Sequence, residues 1–157
     1  MKYVIDANNL AGKLDLLQEE SFDSVLIEKV MNLFSNNSCH VVLVFDSVDP
    51  MGDKYKKGNI EIIYTPRDNY YLSADDKILE LIQNENTKEE IVAVTDDREL
   101  ADKIEEKNEQ VTIKKATDFS KKMENQEETE EDLDKDQLTD EEVKDINREL
   151  LDKFKNQ

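Results

Sequence analysis

The chain has 157 residues, of which 37% are hydrophobic and 38% charged, and its formal net charge is −18. Its length suits one domain with an appendage. No apolar stretch approaches the roughly 18 residues of a membrane-spanning helix and no signal-peptide pattern is present, so we expect a cytoplasmic protein without a membrane partner. Cys39 and His40 are each the only residue of their kind, which excludes an internal disulfide and a Cys- or His-based metal cluster.

Alternating strand and helix patterns begin at the N-terminus. The patterns predict a strand at 2–6, a helix at 21–35, a strand at 40–45, a loop over "SVDPMGDKYKKGN" (47–59) and a strand, "IEIIYT", at 60–65. The loop prediction rests on one proline and two glycines, which commonly interrupt regular structure.

The alternation continues to about residue 116. We predict a helix at 74–84 with Ser73 as its N-cap, a strand at 91–95, a helix at 97–108 and a final strand at 110–116. Apolar strands separated by helices indicate an α/β domain, with a mainly parallel five-stranded sheet that is covered by helices on both faces.

The C-terminal part differs in composition. We predict a domain over 1–118, an acidic flexible linker over 119–138, and an amphipathic helix over 139–155 that starts with a T-x-x-E capping box. The apolar stripe of that helix needs a docking surface. It could dock on its own domain over the basic loop at 54–57, capture a separate basic protein partner, or merely belong to a solubilising tail. We favour partner capture.

Several predicted strands end on aspartate, as in "YVID", "VVLVFD" and "IVAVTDD". One explanation is helix capping, because carboxylates favour helix N-termini. The other is a shared site, because the carboxyl ends of parallel strands meet at one sheet edge. Clustered carboxylates would repel one another, and Mg²⁺ or Mn²⁺, which prefer carboxylate oxygens, would relieve that repulsion. The carboxylates concerned are Asp6, Asp46, Asp75, Asp76, Asp96 and Asp97.

Four stretches together, "YVIDANNL", "VVLVFDS", "YTPRDNYYLSADDKILELI" and "VAVTDDRELADKI", resemble the NYN branch of the PIN-like nuclease fold, nearest its bacterial YacP-like members. The resemblance covers about residues 1–116 and leaves out the tail. It implies a Rossmann-like sheet of order 3-2-1-4-5. It also implies that a divalent metal, Mg²⁺ or Mn²⁺, assists hydrolysis of RNA, which we expect to be endonucleolytic.

The resemblance also assigns roles to individual residues. Asp6, Asp46, Asp75 and Asp97 match the catalytic and metal-binding aspartates, with Asp76 and Asp96 as further candidate ligands. Basic and aromatic side chains nearby would bind RNA, with the tyrosines available for base stacking. The predicted substrate-binding residues are Asn8, Asn9, Lys54, Lys56, Lys57, Arg67, Tyr70, Tyr71, Thr95 and Arg98; Tyr55 and Tyr64 are alternatives for stacking.

Two other functions stay open. A PIN-like domain could bind RNA, a ribosome or another ribonucleoprotein without cutting RNA. A receiver-like signalling domain also carries an acidic pocket on a parallel sheet, but it would need another strand between Asp6 and Asp46. It would also need a second acid directly after Asp6, where this chain has Ala7.

Overall fold

The computed structural model describes residues 1–46, 52–66, 73–85 and 88–136, with side chains described as far as Glu127. In these parts of the chain the strands are β1 (Lys2–Asp6), β2 (His40–Asp46), β3 (Asp53–Lys57), β4 (Ile60–Thr65), β5 (Ile91–Val94) and β6 (Thr112–Lys114). The helices are α1 (Ala7–Lys13), α2 (Phe22–Leu33), α3 (Ala74–Gln83), α4 (Arg98–Lys107) and α5 (Ala116–Asp136).

The strands form one sheet of order β3-β4-β2-β1-β5-β6. All neighbouring strands are parallel except β3, which runs antiparallel to β4 at the edge. The five predicted strands therefore take the expected order 3-2-1-4-5, which confirms the α/β fold class. The predicted strand count was one too low.

Helices cover both faces of the sheet, and two apolar clusters fill the space between. On one face the sheet packs against α1, α2 and the beginning of α5. On the other it packs against α3 and α4. The central strands are consequently buried on both sides, and this is why "VVLVF" in β2 is a continuous apolar run with no alternation.

Helix α1 was not predicted. "ANNLAGK" contains two asparagines and a glycine, which are weak helix formers. The helix forms because Asp6 caps its N-terminus and because Ala7, Leu10 and Ala11 are buried against the sheet. Tertiary packing thus outweighs the low intrinsic propensity of this segment.

The predicted loop at 47–59 contains strand β3, so that part of the prediction was wrong; residues 47–51 lie outside the described residues. Every residue of β3 is exposed, since the strand pairs with β4 on one side only. Such a strand shows no apolar alternation for sequence reasoning to detect.

The segment predicted as a flexible linker is helical as far as Asp136, because α5 spans Ala116–Asp136. Phe119 and Met123 are buried in the core, and the compact unit runs from Met1 to Met123, beyond the predicted boundary at 118. A second unit comprises Glu124–Gln157, and the amphipathic helix predicted at 139–155 lies outside the described residues. None of the described helices combines the length and the apolar character that crossing a membrane requires.

Candidate active site

Asp6 ends β1 and lies at the centre of the carboxyl edge of the sheet. It is 6% exposed and caps α1, with its Oδ1 accepting a long hydrogen bond of 3.5 Å from the backbone N–H of Asn9. Its Oδ2 accepts a hydrogen bond of 3.3 Å from the hydroxyl of Thr95. Burial, and then the negative charges of Asp75 and Asp46, raise the pKa of Asp6 to about 7. The neighbouring carboxylates that raise this pKa also create a negative field that favours a bound cation.

Asp46 ends β2, the strand beside β1. Its backbone N–H donates to the side-chain oxygen of Asn8 at 3.0 Å, and its Oδ1 accepts from the backbone N–H of Ala74 at 2.6 Å. Ala74 is the first residue of α3 and Asn8 belongs to α1, so the carboxylate and the backbone N–H of Asp46 together join the end of β2 to two helix N-termini. No described residue donates a hydrogen bond to Oδ2 of Asp46.

Asp75 occupies the first turn of α3, one residue after the backbone amide that binds Asp46. The side chain of Ser73 accepts from its backbone N–H at 3.2 Å, which confirms Ser73 as the N-cap of the helix. Burial, and then the negative charges of Asp97, Asp46 and Asp76, raise the pKa of Asp75 to about 6. Asp46, Asp76 and Asp97 are thus near enough to destabilise the negative charge of Asp75.

Asp97 follows β5 and caps α4, with its Oδ1 accepting from the backbone N–H of Leu100 at 3.2 Å. Its backbone N–H donates to the hydroxyl oxygen of Thr95 at 3.1 Å. Thr95 is 3% exposed and donates to Asp6, so one buried hydroxyl connects the ends of β1 and β5. Asp6, Asp46, Asp75 and Asp97 therefore share one edge and one electrostatic environment.

Asp96 does not join this group, although it is adjacent to Asp97. Its Oδ1 accepts from the backbone N–H of Thr117 at 3.1 Å, and its Oδ2 accepts from the Thr117 hydroxyl. Lys13 Nζ lies 3.3 Å from Oδ2. Although burial opposes the shift, these hydrogen bonds and the lysine lower the pKa of Asp96. Both oxygens of Asp96 contact α5 or α1, so its role as a metal ligand stays a prediction that would require these contacts to be exchanged.

The donor set suits a hard cation, since four carboxylates converge without a histidine or cysteine. Within the described ranges, however, no three such side chains are close enough to enclose a metal ion directly. The helix caps explain this, because Asp46 and Asp97 each direct one oxygen at a backbone amide. Mg²⁺ commonly keeps several waters and uses only one or two carboxylates. The residues therefore fit a partly hydrated cation.

The two predicted substrate-binding asparagines have structural contacts. Asn8 accepts from the backbone N–H of Asp46, and Asn9 accepts from that of Asp96 at 3.0 Å. The two side chains consequently fix the ends of β2 and β5 on either side of β1. Thr95, also predicted to bind substrate, is buried behind Asp6. A substrate role for these three residues stays a prediction.

The structure does not bring Lys56 and Lys57 to the carboxylates. Lys57 pairs with Ile60 at the start of β4, whereas Asp46 pairs with Thr65 at its end, about 16 Å further along the strand. Lys56 lines a cavity of about 300 Å³ with residues such as Lys2 and His40 at the opposite edge of the sheet. No pattern in the sequence indicates that these two lysines belong to a strand that leads away from the carboxylates, and a role for them in substrate binding stays a prediction.

The remaining residues that were predicted to bind substrate differ in their surroundings. Lys54 forms a salt bridge of 2.7 Å with Glu61, and Arg98 is exposed at the first position of α4, directly after Asp97. Tyr64 stacks between Phe45 and Tyr55, and its hydroxyl donates to Asp23 at 2.7 Å. Tyr64 is therefore committed to packing, while Tyr55 is 40% exposed. Arg67, Tyr70 and Tyr71 lie outside the described residues.

Sequence reasoning missed two kinds of contact at this edge. Thr117 and Lys13 hold Asp96, and no local pattern marks either as its partner. Thr65 pairs with Asp46 and is 3% exposed, and its hydroxyl has no hydrogen-bond partner among the residues that are described. A threonine that ends a strand beside an aspartate is a weak signal, because "YT" and "VT" are common strand endings.

The arrangement agrees with comparisons to known proteins. The family model for the YacP-like NYN domain matches residues 3–157. The chain belongs to this family. The match includes the C-terminal residues that the resemblance had left out, which corrects its extent. YacP-like NYN domains are of nuclease type, and NYN nucleases typically use divalent metals.

Solved structures also resemble this YacP-like chain. The crystal structure of Rae1 (YacP) from Bacillus subtilis is 23% identical, with a TM-score of 0.66, over 99% of this chain and 92% of that one. A mutant form of the same protein is 24% identical, with a TM-score of 0.62, over 82% of this chain and 77% of that one. At these identities the likeness shows a shared fold. No curated protein matches the chain.

Proposed function

We propose that the protein is a metal-dependent endoribonuclease that hydrolyses RNA phosphodiester bonds at Asp6, Asp46, Asp75 and Asp97. The observation that carries the proposal is the convergence of these four carboxylates, from separate segments of the chain, at one edge of the sheet. The raised pKa of Asp6 and of Asp75, each caused in part by other carboxylates of the group, supports it. Helix capping explains each carboxylate singly but does not require them to lie close to one another, whereas a cation site does. Membership of a nuclease-type family supports the same function.

Each carboxylate has a distinct task in this proposal. Asp46 and Asp97 are oriented through Oδ1 by helix N-termini, and Oδ2 of each, which accepts no hydrogen bond from a described residue, would be available to a cation. Asp6 and Asp75 supply negative charge that burial and the other carboxylates destabilise and that a bound cation would stabilise. Mg²⁺ or Mn²⁺, when bound, would stabilise negative charge on the phosphoryl oxygens and favour a nucleophilic water. Because the pKa of Asp6 is about 7, cation binding near neutral pH must displace its proton, and affinity should rise with pH.

A second candidate is an RNA- or ribonucleoprotein-binding domain without nuclease activity. The absence of three directly enclosing ligands among the described residues favours it, as does the net charge of −18 for a protein that would act on free RNA. The ribosome, as a substrate carrier, would be compatible with either candidate. The two differ in one observable, the appearance of cut RNA.

Cleavage of circular single-stranded RNA tests the proposal, since only an endonuclease opens a circle. We expect cutting with Mn²⁺ or Mg²⁺ and none with EDTA. Asp6→Asn and Asp97→Asn should each reduce the rate at least about 100-fold, because a metal ion contributes several kcal/mol to such reactions. Asp96→Asn is the matched control and should stay within a few-fold of wild type, since Asp96 lies outside the group.

Equal losses in Asp96→Asn and Asp97→Asn would point to general damage to this edge and contradict the assigned site. RNA binding without cutting in any divalent metal would favour the second candidate. Thermal unfolding supplies an independent readout, because a ligand that binds only the folded state at a hundredfold excess over Kd stabilises it by about 2.7 kcal/mol. Mn²⁺ should raise the Tm of wild type and hardly that of a variant lacking both Asp6 and Asp97.

A further inference from the structure

A surface groove lies between the edge strand β6 and the first turns of α5. Its volume is about 470 Å³, and it is lined by Ile113, Lys114, Lys115, Asp118, Phe119 and Lys122. All of these residues belong to the compact unit Met1–Met123. None of them was predicted to bind substrate, and none takes part in the carboxylate site.

The groove is basic in a protein that is otherwise acidic. Three lysines line it, Lys114, Lys115 and Lys122, together with one carboxylate, Asp118; these three lysines are called the basic groove below. None of the three forms a salt bridge with a described carboxylate. By contrast, salt bridges engage Lys2, Lys13, Lys54, Lys77 and Lys103. In a chain of net charge −18, three lysines against one lining carboxylate give this groove a local positive excess that suits an anion.

The basic groove is connected to the carboxylate edge by backbone hydrogen bonds. The carbonyl of Lys114 accepts from the backbone N–H of Thr95 at 3.0 Å, and Thr95 holds Asp6. Strand β6 is two strands from β1, which is about 10 Å at ordinary strand spacing. An RNA strand that places one phosphodiester at the carboxylates can therefore reach the groove with neighbouring phosphates.

The lining indicates which part of RNA the groove would contact. Phe119 is 5% exposed and packs on Tyr3 and Phe34, so its ring face is not available for base stacking. Lys114 lies over the Tyr3 ring with Nζ 5.7 Å from its centre, which fixes the lysine stem against the core. Ammonium groups on a closed aromatic floor suit phosphates and give no base selectivity.

We propose that the basic groove binds the sugar–phosphate backbone of the RNA strand next to the cleavage position. This proposal rests on the proposed function, because it assigns the substrate contact of that same site. Asp96 already occupies the N-terminus of α5, so the lysines and not the helix end provide the attraction. The groove compensates locally for the acidic field that would otherwise repel RNA.

Binding of a fluorescent 20-nucleotide single-stranded RNA in EDTA separates this contact from catalysis. The test variant combines Lys115→Gln with Lys122→Gln, both exposed groove residues. The matched control combines Lys56→Gln with Lys57→Gln, which removes the same charge from β3 at the other end of the sheet. A second control replaces Lys115 and Lys122 by arginine.

We expect the groove variant to bind RNA about tenfold more weakly and the β3 variant to bind within twofold of wild type. The slope of log affinity against log salt should decrease by about 0.7 for each lost phosphate contact, hence by about 1.4 for two. The arginine variant should restore both values. Unchanged Tm values would show that the differences arise at the surface.

If the groove variant binds RNA as tightly as wild type, the proposal that the groove binds RNA is wrong, whereas the proposed function is unaffected. Equal weakening in the groove and β3 variants would also overturn RNA binding by the groove, because general charge would then explain the loss. Wild type could cut RNA but bind it too weakly to measure. An unchanged kcat/KM in the groove variant would then contradict RNA binding by the groove. If wild type neither binds nor cuts RNA, both proposals fail together.

Discussion

At the scale of the single residue, Asp6 combines a favourable role as a helix cap with an unfavourable buried environment. Its position at the end of β1 suits helix capping, yet the hydrogen bond to Asn9 N–H is long at 3.5 Å, and the side chain is almost fully buried. The neighbouring charges of Asp75 and Asp46 add to the burial. Asp6 is therefore a source of instability at neutral pH in the absence of a cation, and the instability has a defined pH dependence.

Asp6→Asn should stabilise the metal-free protein at pH 8 and not at pH 4. The pKa of Asp6 is about 7 in the folded state against an ordinary 3.8, so the unfolded chain loses this proton first as the pH rises. Folding is then opposed increasingly between about pH 4 and 7, and the effect is complete above that window. By linkage the difference is roughly 4 kcal/mol at most.

Urea unfolding of wild type and Asp6→Asn in EDTA, at several pH values, measures this difference. The comparison cancels the titration of groups that both proteins share. Asp102→Asn, an exposed residue of α4, is the control and should follow wild type at every pH. Parallel stability curves for wild type and Asp6→Asn would show that Asp6 ionises freely in the fold, and the argument for a strained carboxylate cluster would lose its basis.

At the scale of the element, β3 depends on the glycines at its two ends. Gly52 has a φ of +66° and Gly58 a φ of +64°, so both adopt a conformation that other residues rarely take. They differ in their surroundings. A Cβ on Gly52 would lie 2.5 Å from the carbonyl oxygen of Tyr64 and 2.8 Å from the ring of Pro66, whereas one on Gly58 would meet only the end of Met31 at 4.0 Å.

Gly52→Ala should therefore destabilise the protein more than Gly58→Ala. Both substitutions incur the cost of a left-handed backbone, about 1 kcal/mol. Gly52→Ala must in addition displace backbone at the end of β4, next to the strand position that pairs with Asp46, and a further 1–3 kcal/mol is typical of overpacking. Urea unfolding gives the two losses. Equal losses of unfolding free energy in the two variants would mean that the backbone at Tyr64 moves aside at little cost.

The sequence predicted best those elements whose burial is periodic or continuous. Strands β1, β2, β4 and β5 and helices α3 and α4 have apolar residues that pattern and length identify. In contrast, the exposed strand β3 has no such pattern, and α1 is stabilised by contacts that only the folded sheet provides. The α5 segment did contain a signal, since Ala116, Phe119 and Met123 recur at helical spacing, but its charged residues suggested a linker.

The site residues likewise separate into those that the strand pattern predicts and those that depend on tertiary contacts. Strand order places carboxylates on one edge, so Asp6, Asp46, Asp75 and Asp97 could be predicted together. Strand order does not show where each side chain points. Asp96 and Asp97 are adjacent in sequence, yet Asp96 is fixed by Thr117, a partner that is distant along the chain. The basic groove also depends on α5, whose docking was not expected.

At the scale of the whole molecule, charge is distributed unevenly around the sheet. The carboxylate group occupies the ends of the central strands, and the basic groove lies at the β6 edge beside it. Helix α5 lines the groove through Lys122 and borders the carboxylate group, because Thr117 binds Asp96, the residue before Asp97. The beginning of α5 is thus part of the domain that holds the site, and its removal should affect stability as well as RNA binding.

A chain that ends at Glu127 should fold cooperatively, whereas a chain that ends at Ala116 should be strongly destabilised. The shorter chain lacks Phe119 and Met123, which are 5% and 2% exposed in the core, and it also lacks the Thr117 contacts to Asp96. Truncating a buried Phe or Met to Ala typically costs about 2–5 kcal/mol each, against a total stability of about 5–15 kcal/mol for a domain.

Urea unfolding followed by circular dichroism compares the two truncated chains with the full chain. Phe119→Ala and Met123→Ala in the full chain are the controls, and each should account for part of the loss. The chain ending at Glu127 retains Lys114, Lys115 and Lys122, so it should also keep the RNA affinity of wild type. Equal stability of the two truncated chains would mean that α5 packs on the sheet without supporting it. Lys13 and Asn9, and not α5, would then have to hold Asp96 in place.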